Sequence, residues 1–323
     1  MSCGRVVSID EVLHTYFGYV EISRKSGESH ILLKNYLLQN ESSFRVNGSV
    51  RGACCTHNYL FLLVPLEQCV YAFRIDSFLV YRLNIDEIER NPGFKPMTNI
   101  AVETEKMITP RKEKDQQKGA PELAHLKLQS EKSLEFQSPV EVEDFLLCAT
   151  SRSCYLVKNT SDGPSMYRIF TENKEANDEL HLLQLGFQEP VLQLAAGNDH
   201  ILILTSKGQV YSMGTGSRGE LGHGTLENEQ QPCLVEGLNF TKVAQLACGA
   251  WHSVALTADG DVYVWGWNNS GQLGGCCAEG EILDIPYPLD YDERILAVAA
   301  QRNGTVLKKS DSSVLTLGST SFC

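Results

Sequence analysis

Val191–Gly222 reads VLQLAAGNDHILILTSKGQVYSMGTGSRGELG, and Val243–Gly274 reads VAQLACGAWHSVALTADGDVYVWGWNNSGQLG. Aligned without a gap at a period of 52 residues, the two segments agree at 15 of 32 positions, where unrelated stretches would share about two. Gly197 falls on Gly249, His200 on His252, Gly208 on Gly260, Gly214 on Gly266 and Gly219 on Gly271. In each copy an apolar run (Ile201–Leu204; Ser253–Leu256) meets a short turn at Gly208 or Gly260. A β-rich run (Val210–Met213; Val262–Trp265) follows and stops at a glycine. That order predicts a β-hairpin with positive φ at the turn glycines. One hairpin cannot bury its own faces in water, so the unit needs neighbours, and about 50 residues per unit suits a four-stranded propeller blade.

The order Ala-x-Gly-x-x-His, then Leu-Thr-x-x-Gly-x-Val-Tyr-x-x-Gly, then Gly-x-Leu-Gly resembles the repeat of the regulator-of-chromosome-condensation family. The likeness runs over Val191–Gly318 and is similar to the small chromatin-linked member that has little beyond the propeller. The resemblance implies a closed, all-β propeller of four-stranded blades, seven in number with six as the alternative, with both termini closing the ring. It also implies a non-catalytic nuclear interaction module, acting as regulatory partner of a JmjC-domain oxygenase in chromatin regulation. The alternative is a guanine-nucleotide exchange factor for a Ran-like small GTPase, as the family's founding member is. Localisation is then the nucleus, with the cytoplasm as a second compartment.

The chain has 323 residues, whereas seven repeats at this period would need about 364, which sets blade number against family expectation. Forty acidic residues against 28 basic give a net charge of −12, the wrong sign for a broad grip on DNA phosphates. The 11 cysteines are odd in number, and no leader-like apolar stretch opens the chain, so a reducing compartment is expected. The longest apolar run, Tyr59–Leu66, holds 8 residues, far short of the ~20 that span a bilayer.

Outside the two clear copies the pattern wears thin. Short strands are expected at Val6–Ile9, Tyr16–Ile22 and Ile31–Leu38, a worn blade over Val46–Ile75, and a hairpin joining Val140–Ala149 to Cys154–Lys158. A third copy, Ile295–Gly318, keeps Ala299, Val306, Asp311, Val314 and Gly318 but has Gln301, Gly304 and Lys308 where Gly, His and Leu stood. Arg5–Ile22 is expected to complete this last blade. Residues 91–139, with the charged run Arg111–Lys118, are expected to be a disordered insertion in one propeller domain spanning 1–323.

Nothing in the chain has the spacing of an active site. His200 and His252 recur once per unit, which points to a building role in which each ring bonds a neighbouring turn. Cys54-Cys55 and Cys276-Cys277 are adjacent pairs rather than Cys-x-x-Cys, and no metal or cofactor is expected. Function therefore belongs to the loops. All three tryptophans, Trp251, Trp265 and Trp267, fall within 17 positions. Trp265 is expected to pack between blades. Trp251 and Trp267 stand where the earlier copy has Asp199 and Thr215, so the repeat does not require them. Together with Arg218, Glu220, Asn268 and Asn269 on the same loops, they form the expected partner-binding set, an aromatic anchor with a polar rim.

Overall fold

The computed structural model describes residues 11–14, 18–25, 28–35, 40–75, 80–85, 95–96, 103–105, 145–171 and 180–319. These form six antiparallel sheets. The first is a meander of β1 (Glu11–His14), β2 (Gly18–Lys25), β3 (Glu28–Asn35) and β4 (Asn40–Asn47). The second holds β5 (Gly52–Cys55), β6 (Tyr59–Val64), β7 (Cys69–Arg74), β8 (Val80–Asn84) and the two-residue β9 (Lys95–Pro96). β10 (Glu103–Glu105) then returns to pair with β4. The third sheet is β11 (Phe145–Ala149), β12 (Ser153–Thr160), β13 (Gly163–Thr171) and β14 (Leu180–Leu185).

The two clear repeats are the fourth and fifth sheets. One is β15 (Val191–Ala196), β16 (His200–Thr205), β17 (Val210–Gly214) and β18 (Glu229–Leu234). The other is β19 (Val243–Cys248), β20 (His252–Thr257), β21 (Val262–Trp267) and β22 (Ile282–Leu289). The sixth sheet has three strands, β23 (Ile295–Gln301), β24 (Asn303–Lys309) and β25 (Val314–Ser319). Gly208 and Gly260 sit in the hairpin turns at φ 81° and 96°, as the sequence predicts.

Successive sheets stack face to face in chain order, and the second strand of each shows how. Along β16, Ile201 and Ile203 face the third sheet while Leu202 and Leu204 face the fifth. Along β20, Ala255 faces back and Val254 and Leu256 face on. A strand buried on both faces has no polar side to show, so its period of two is hidden in a continuous apolar run. Each such side chain contributes about 1.5–3 kcal/mol on burial. Trp265, fully buried, lies in the core between the fourth and fifth sheets, as expected.

Some expectations are revised, and others fall on residues outside those described. Within the expected closing segment Arg5–Ile22, the described residues 11–14 and 18–22 belong to the first sheet and not to the last: β2 pairs with β1 and β3, and Val20 and Ile22 pack on Ile31, Leu33 and Phe44, while residues 5–10 lie outside the described residues. Pairing with the next strand in the chain closes far less chain than pairing with a segment some 290 residues away, and the apolar face of the first meander is buried against Leu60, Leu62 and Phe73 of the second sheet. Among the described residues the sheets number six, the alternative count. The worn blade begins at Gly52, because Val46 belongs to the outer strand of the first sheet. Within 91–139, residues 95–96 and 103–105 are edge strands, and the charged run 111–118 lies outside the described residues. The strand expected at Val6–Ile9 also lies outside them.

Candidate functional site

In the second to sixth sheets the turns that join the first strand to the second lie at one end of the stack, and backbone bonds tie them into an arc. The His57 N–H donates to the Ser151 carbonyl (2.8 Å), Ser151 to Asn198 (2.7 Å), Asn198 to Ala250 (2.9 Å) and Ala250 to Arg302 (3.0 Å). Five sheets are thereby held in register at their inner edges. Side chains repeat the tie: Gln193 exchanges two bonds with the backbone of Leu246, and Gln245 does the same with Val298.

The histidines hold the next layer. His200 Nε2 lies 3.1 Å from Ser253 Oγ, and His252 Nε2 lies 2.9 Å from Thr305 Oγ1. Each hydroxyl spends its proton on a carbonyl, Ser253 on Glu220 and Thr305 on Gln272. The hydroxyl must therefore accept from the ring, which fixes the Nε2–H tautomer and leaves a bare Nδ1 with no partner in either case. Burial pushes His200 down to about 4 and His252 down to about 3. A serine beside a histidine is the beginning of a nucleophile, but His200 and Ser253 are both fully buried and the hydroxyl proton is spent. The expected building role is seen, but each ring bonds a strand hydroxyl of the next sheet and not a turn.

The loops after the third strands rise from the same end. In the first, the Glu220 carboxylate folds back to accept the Arg218 N–H (2.6 Å), and in the second Gln272 Oε1 accepts the Ser270 N–H (2.7 Å). The Glu220 carbonyl also accepts the Trp265 indole N–H at 2.9 Å. Glu220 is 1% exposed and its Oε1 has no partner, so burial raises its pKa against the pull of nearby backbone N–H groups and the Arg218 charge. Asn268 is fully buried, with Nδ2 donating to the carbonyls of Cys277 and Ala278 and Oδ1 accepting from Leu273. Glu220 and Asn268 thus hold the loops from beneath.

The other expected residues meet at the surface. The Arg218 guanidinium carbon sits 4.6 Å from the Trp251 ring centroid and 4.8 Å from that of Trp267. The two indoles meet edge to face with centroids 6.0 Å apart. Trp267 donates to the Gly280 carbonyl at 3.3 Å. Asn269 is exposed beside them and contacts only the Ser270 hydroxyl. Three residues from two repeats, contributed by an inner turn and two outer loops, make one stacked cluster.

Sequence reasoning did not single out the neighbouring turn tips, Arg152, Asp199 and Arg302. Asp199 accepts from the Ser151 hydroxyl (2.6 Å) and from Asn198 Nδ2 (2.8 Å). Arg152 and Arg302 are exposed. Counting back from His200 and His252 to the turn, and matching that turn in each sheet, is the signal that finds them.

Stacked four-stranded meanders with loops gathered at one end define a propeller built from repeats. Residues 207–256 and 259–306 match the family described as the Regulator of chromosome condensation (RCC1) repeat, and 191–220 with 243–272 match a second form of it. Over 191–306 the chain is thus similar to that repeat. It is 54% identical over 83 residues to mouse RCC1 domain-containing protein 1, covering 26% of this chain and 22% of that protein. It is 53% identical over 81 residues to the human protein of that name, covering 25% of this chain and 22% of that one. The match spans about a fifth of the length of these relatives. Among solved structures, human WBSCR16 aligns with a TM-score of 0.55 at 19% identity, over 85% of this chain and 64% of its own. Yeast RCC1 (Prp20), solved with Kap60 bound, aligns at 0.51 and 19% identity, over 84% and 56%. These two likenesses show the propeller fold. Among the described residues no helix is long and apolar enough to cross a membrane.

Proposed function

We propose that this chain is a non-catalytic protein-interaction propeller of the nucleus, a regulatory partner of a JmjC-domain oxygenase, and that the Arg218–Trp251–Trp267 cluster is its contact surface. The observation that carries the reading is the cluster itself. The repeat demands neither tryptophan, yet the first turn and the end of the third strand of the fifth sheet bring both against one guanidinium from the outer loop of the fourth. Tryptophan and arginine are the residue types that dominate binding energy at interfaces. The oxygenase and the nuclear setting rest on the resemblance to the small chromatin-linked member of the repeat family.

The test is capture of the oxygenase from nuclear extract by the immobilised full chain. Trp267→Ala should weaken capture by more than ~1 kcal/mol while the melting temperature stays near that of the parent, because Trp267 is only partly buried and makes one hydrogen bond. Capture of a small GTPase instead, released by guanine nucleotide, replaces this reading with nucleotide exchange. Loss of folding in Trp267→Ala with no separable loss of binding moves the interface elsewhere on the ring.

A further inference from the structure

Arg218 is held without being used. Its guanidinium sits in the corner between two indoles set edge to face, and its side chain makes no hydrogen bond and no ion pair among the described residues. The carboxylates of Glu220 and of the neighbouring turn tip are engaged otherwise. Glu220 bonds the Arg218 backbone N–H, and Asp199 is taken by Ser151 and Asn198. A planar fork of five donors, held against two rings and with none of its donors taken, is able to bind a carboxylate in two parallel bonds. Stacking also holds the long side chain before any partner arrives, so little ordering is left to binding.

The surroundings carry the same sign. Arg152 and Arg302 stand exposed on turn tips joined to those of Asp199 and Trp251 through the arc of backbone bonds, and neither makes an ion pair among the described residues. Three unpaired guanidinium groups thus gather at one end of a chain whose net charge is −12. On the outer loops of this end Glu227, Glu279 and Glu281 are exposed. A basic patch inside an acidic rim suits a narrow acidic strand of chain and repels a long duplex.

Resting on the interaction surface proposed above, we infer that its partner presents an acidic segment, a run of aspartate and glutamate side chains, and that Arg218 takes one of those carboxylates bidentately between Trp251 and Trp267 while Arg152 and Arg302 attract the flanking charges. The occupant is an acidic peptide of a protein partner.

The probe is a labelled octa-glutamate peptide titrated with the full chain at low salt and followed by fluorescence anisotropy, with octa-lysine and a short DNA duplex alongside. Octa-glutamate should bind and weaken as salt rises. Arg218→Gln should weaken it roughly tenfold or more, and Arg218→Lys should recover little of this, because charge remains but the fork and the stack are lost. Arg152→Gln and Arg302→Gln should each cost about two- to threefold, an effect that salt erases. The inference is overturned by absence of octa-glutamate binding, by unchanged binding in Arg218→Gln, or by tighter binding of the duplex. It is equally overturned if Arg218→Ala creates a site for octa-lysine, since the indole pair would then be a cation cage that Arg218 plugs. If octa-glutamate fails while Trp267→Ala still abolishes oxygenase capture, the acidic chemistry falls and the interaction surface stands. If every variant captures the oxygenase alike, the surface falls on its own.

Discussion

The turn between first and second strands is built in two ways in this chain. In the fourth and fifth sheets it runs Gly197 to His200 and Gly249 to His252, and in the second and third sheets Thr56 to Tyr59 and Thr150 to Ser153. All four close the same backbone bond, 2.9 Å from the N–H of the first residue to the carbonyl of the last. The side chains differ in kind. Where histidine is present its ring lies on the glycine, and a Cβ at Gly197 or Gly249 would stand 2.1 or 2.0 Å from Cε1. Where it is absent, the threonine hydroxyl takes the N–H of Tyr59 (3.1 Å) or Ser153 (3.2 Å). Glycine and histidine are therefore one device, and threonine with a non-histidine partner is another. A side chain on the glycine is excluded while the ring is there, whereas the threonine turns show that the same backbone bond closes without either residue.

The largest expected effect that separates the two turn types is acid lability. His200 and His252 are neutral when folded, and their folded pKa values of about 4 and 3 lie below the 6.5 of an unfolded histidine. The unfolded chain therefore takes up protons first, so stability is full above pH 6.5 and falls as pH drops from 6.5 toward 4. Each ring contributes a loss on the order of 3 kcal/mol, large beside the ~5–15 kcal/mol that holds a domain. Urea denaturation at stepped pH should show the loss, and a His200→Gln/His252→Gln double variant should lose much less over the same range. An equal slope in both proteins would place the acid sensitivity in other groups.

Grafting one turn type onto the other comes next. Gly249→Thr should destabilise by about 4 kcal/mol, because a ring and a backbone carbonyl 2.5 Å away fill the space. Adding His252→Ser should recover at least ~1 kcal/mol, a coupling readable in a double-mutant cycle. Strict additivity would show that the two turns are not interchangeable solutions.

A smaller contrast lies in the second-to-third-strand turns. Gly208→Val should cost about 3 kcal/mol, since positive φ is joined by Lys242 Cγ at 2.8 Å and Val243 O at 3.3 Å. Gly163→Ala, at φ 120° with nothing within 4 Å, should cost only about 1 kcal/mol, from backbone strain alone. Thermal denaturation of the pair checks the order.

The smallest effect compares the two outer loops. Gln272 does for the fifth sheet what Glu220 does for the fourth. Glu220→Gln copies it and relieves a buried carboxylate oxygen that has no partner, so stability at neutral pH should rise by no more than about 1 kcal/mol. Because burial raises the Glu220 pKa, that cost appears only as pH rises through the carboxyl range, and the gain should vanish in acid. A loss of stability at pH 7 would mean that the Arg218 charge outweighs burial.

By itself the sequence determined the repeat, the hairpins with their positive-φ glycines, the inter-sheet place of Trp265 and the building role of the histidines. Each of these rests on a local rule of chirality, period or recurrence that one stretch of chain obeys alone. It also marked Arg218, Trp251 and Trp267 as surplus to the repeat, but only the tertiary structure stacked them, because two indoles and a guanidinium from separate elements meet only once the sheets pack. The same holds for Glu220 and Asn268, polar residues on exposed-looking loops that the fold turned inward to satisfy backbone groups. Sheet number and the pairing of β1 and β2 were likewise decided by packing, since strands with similar apolar faces differ only in which neighbour is near enough to close on cheaply.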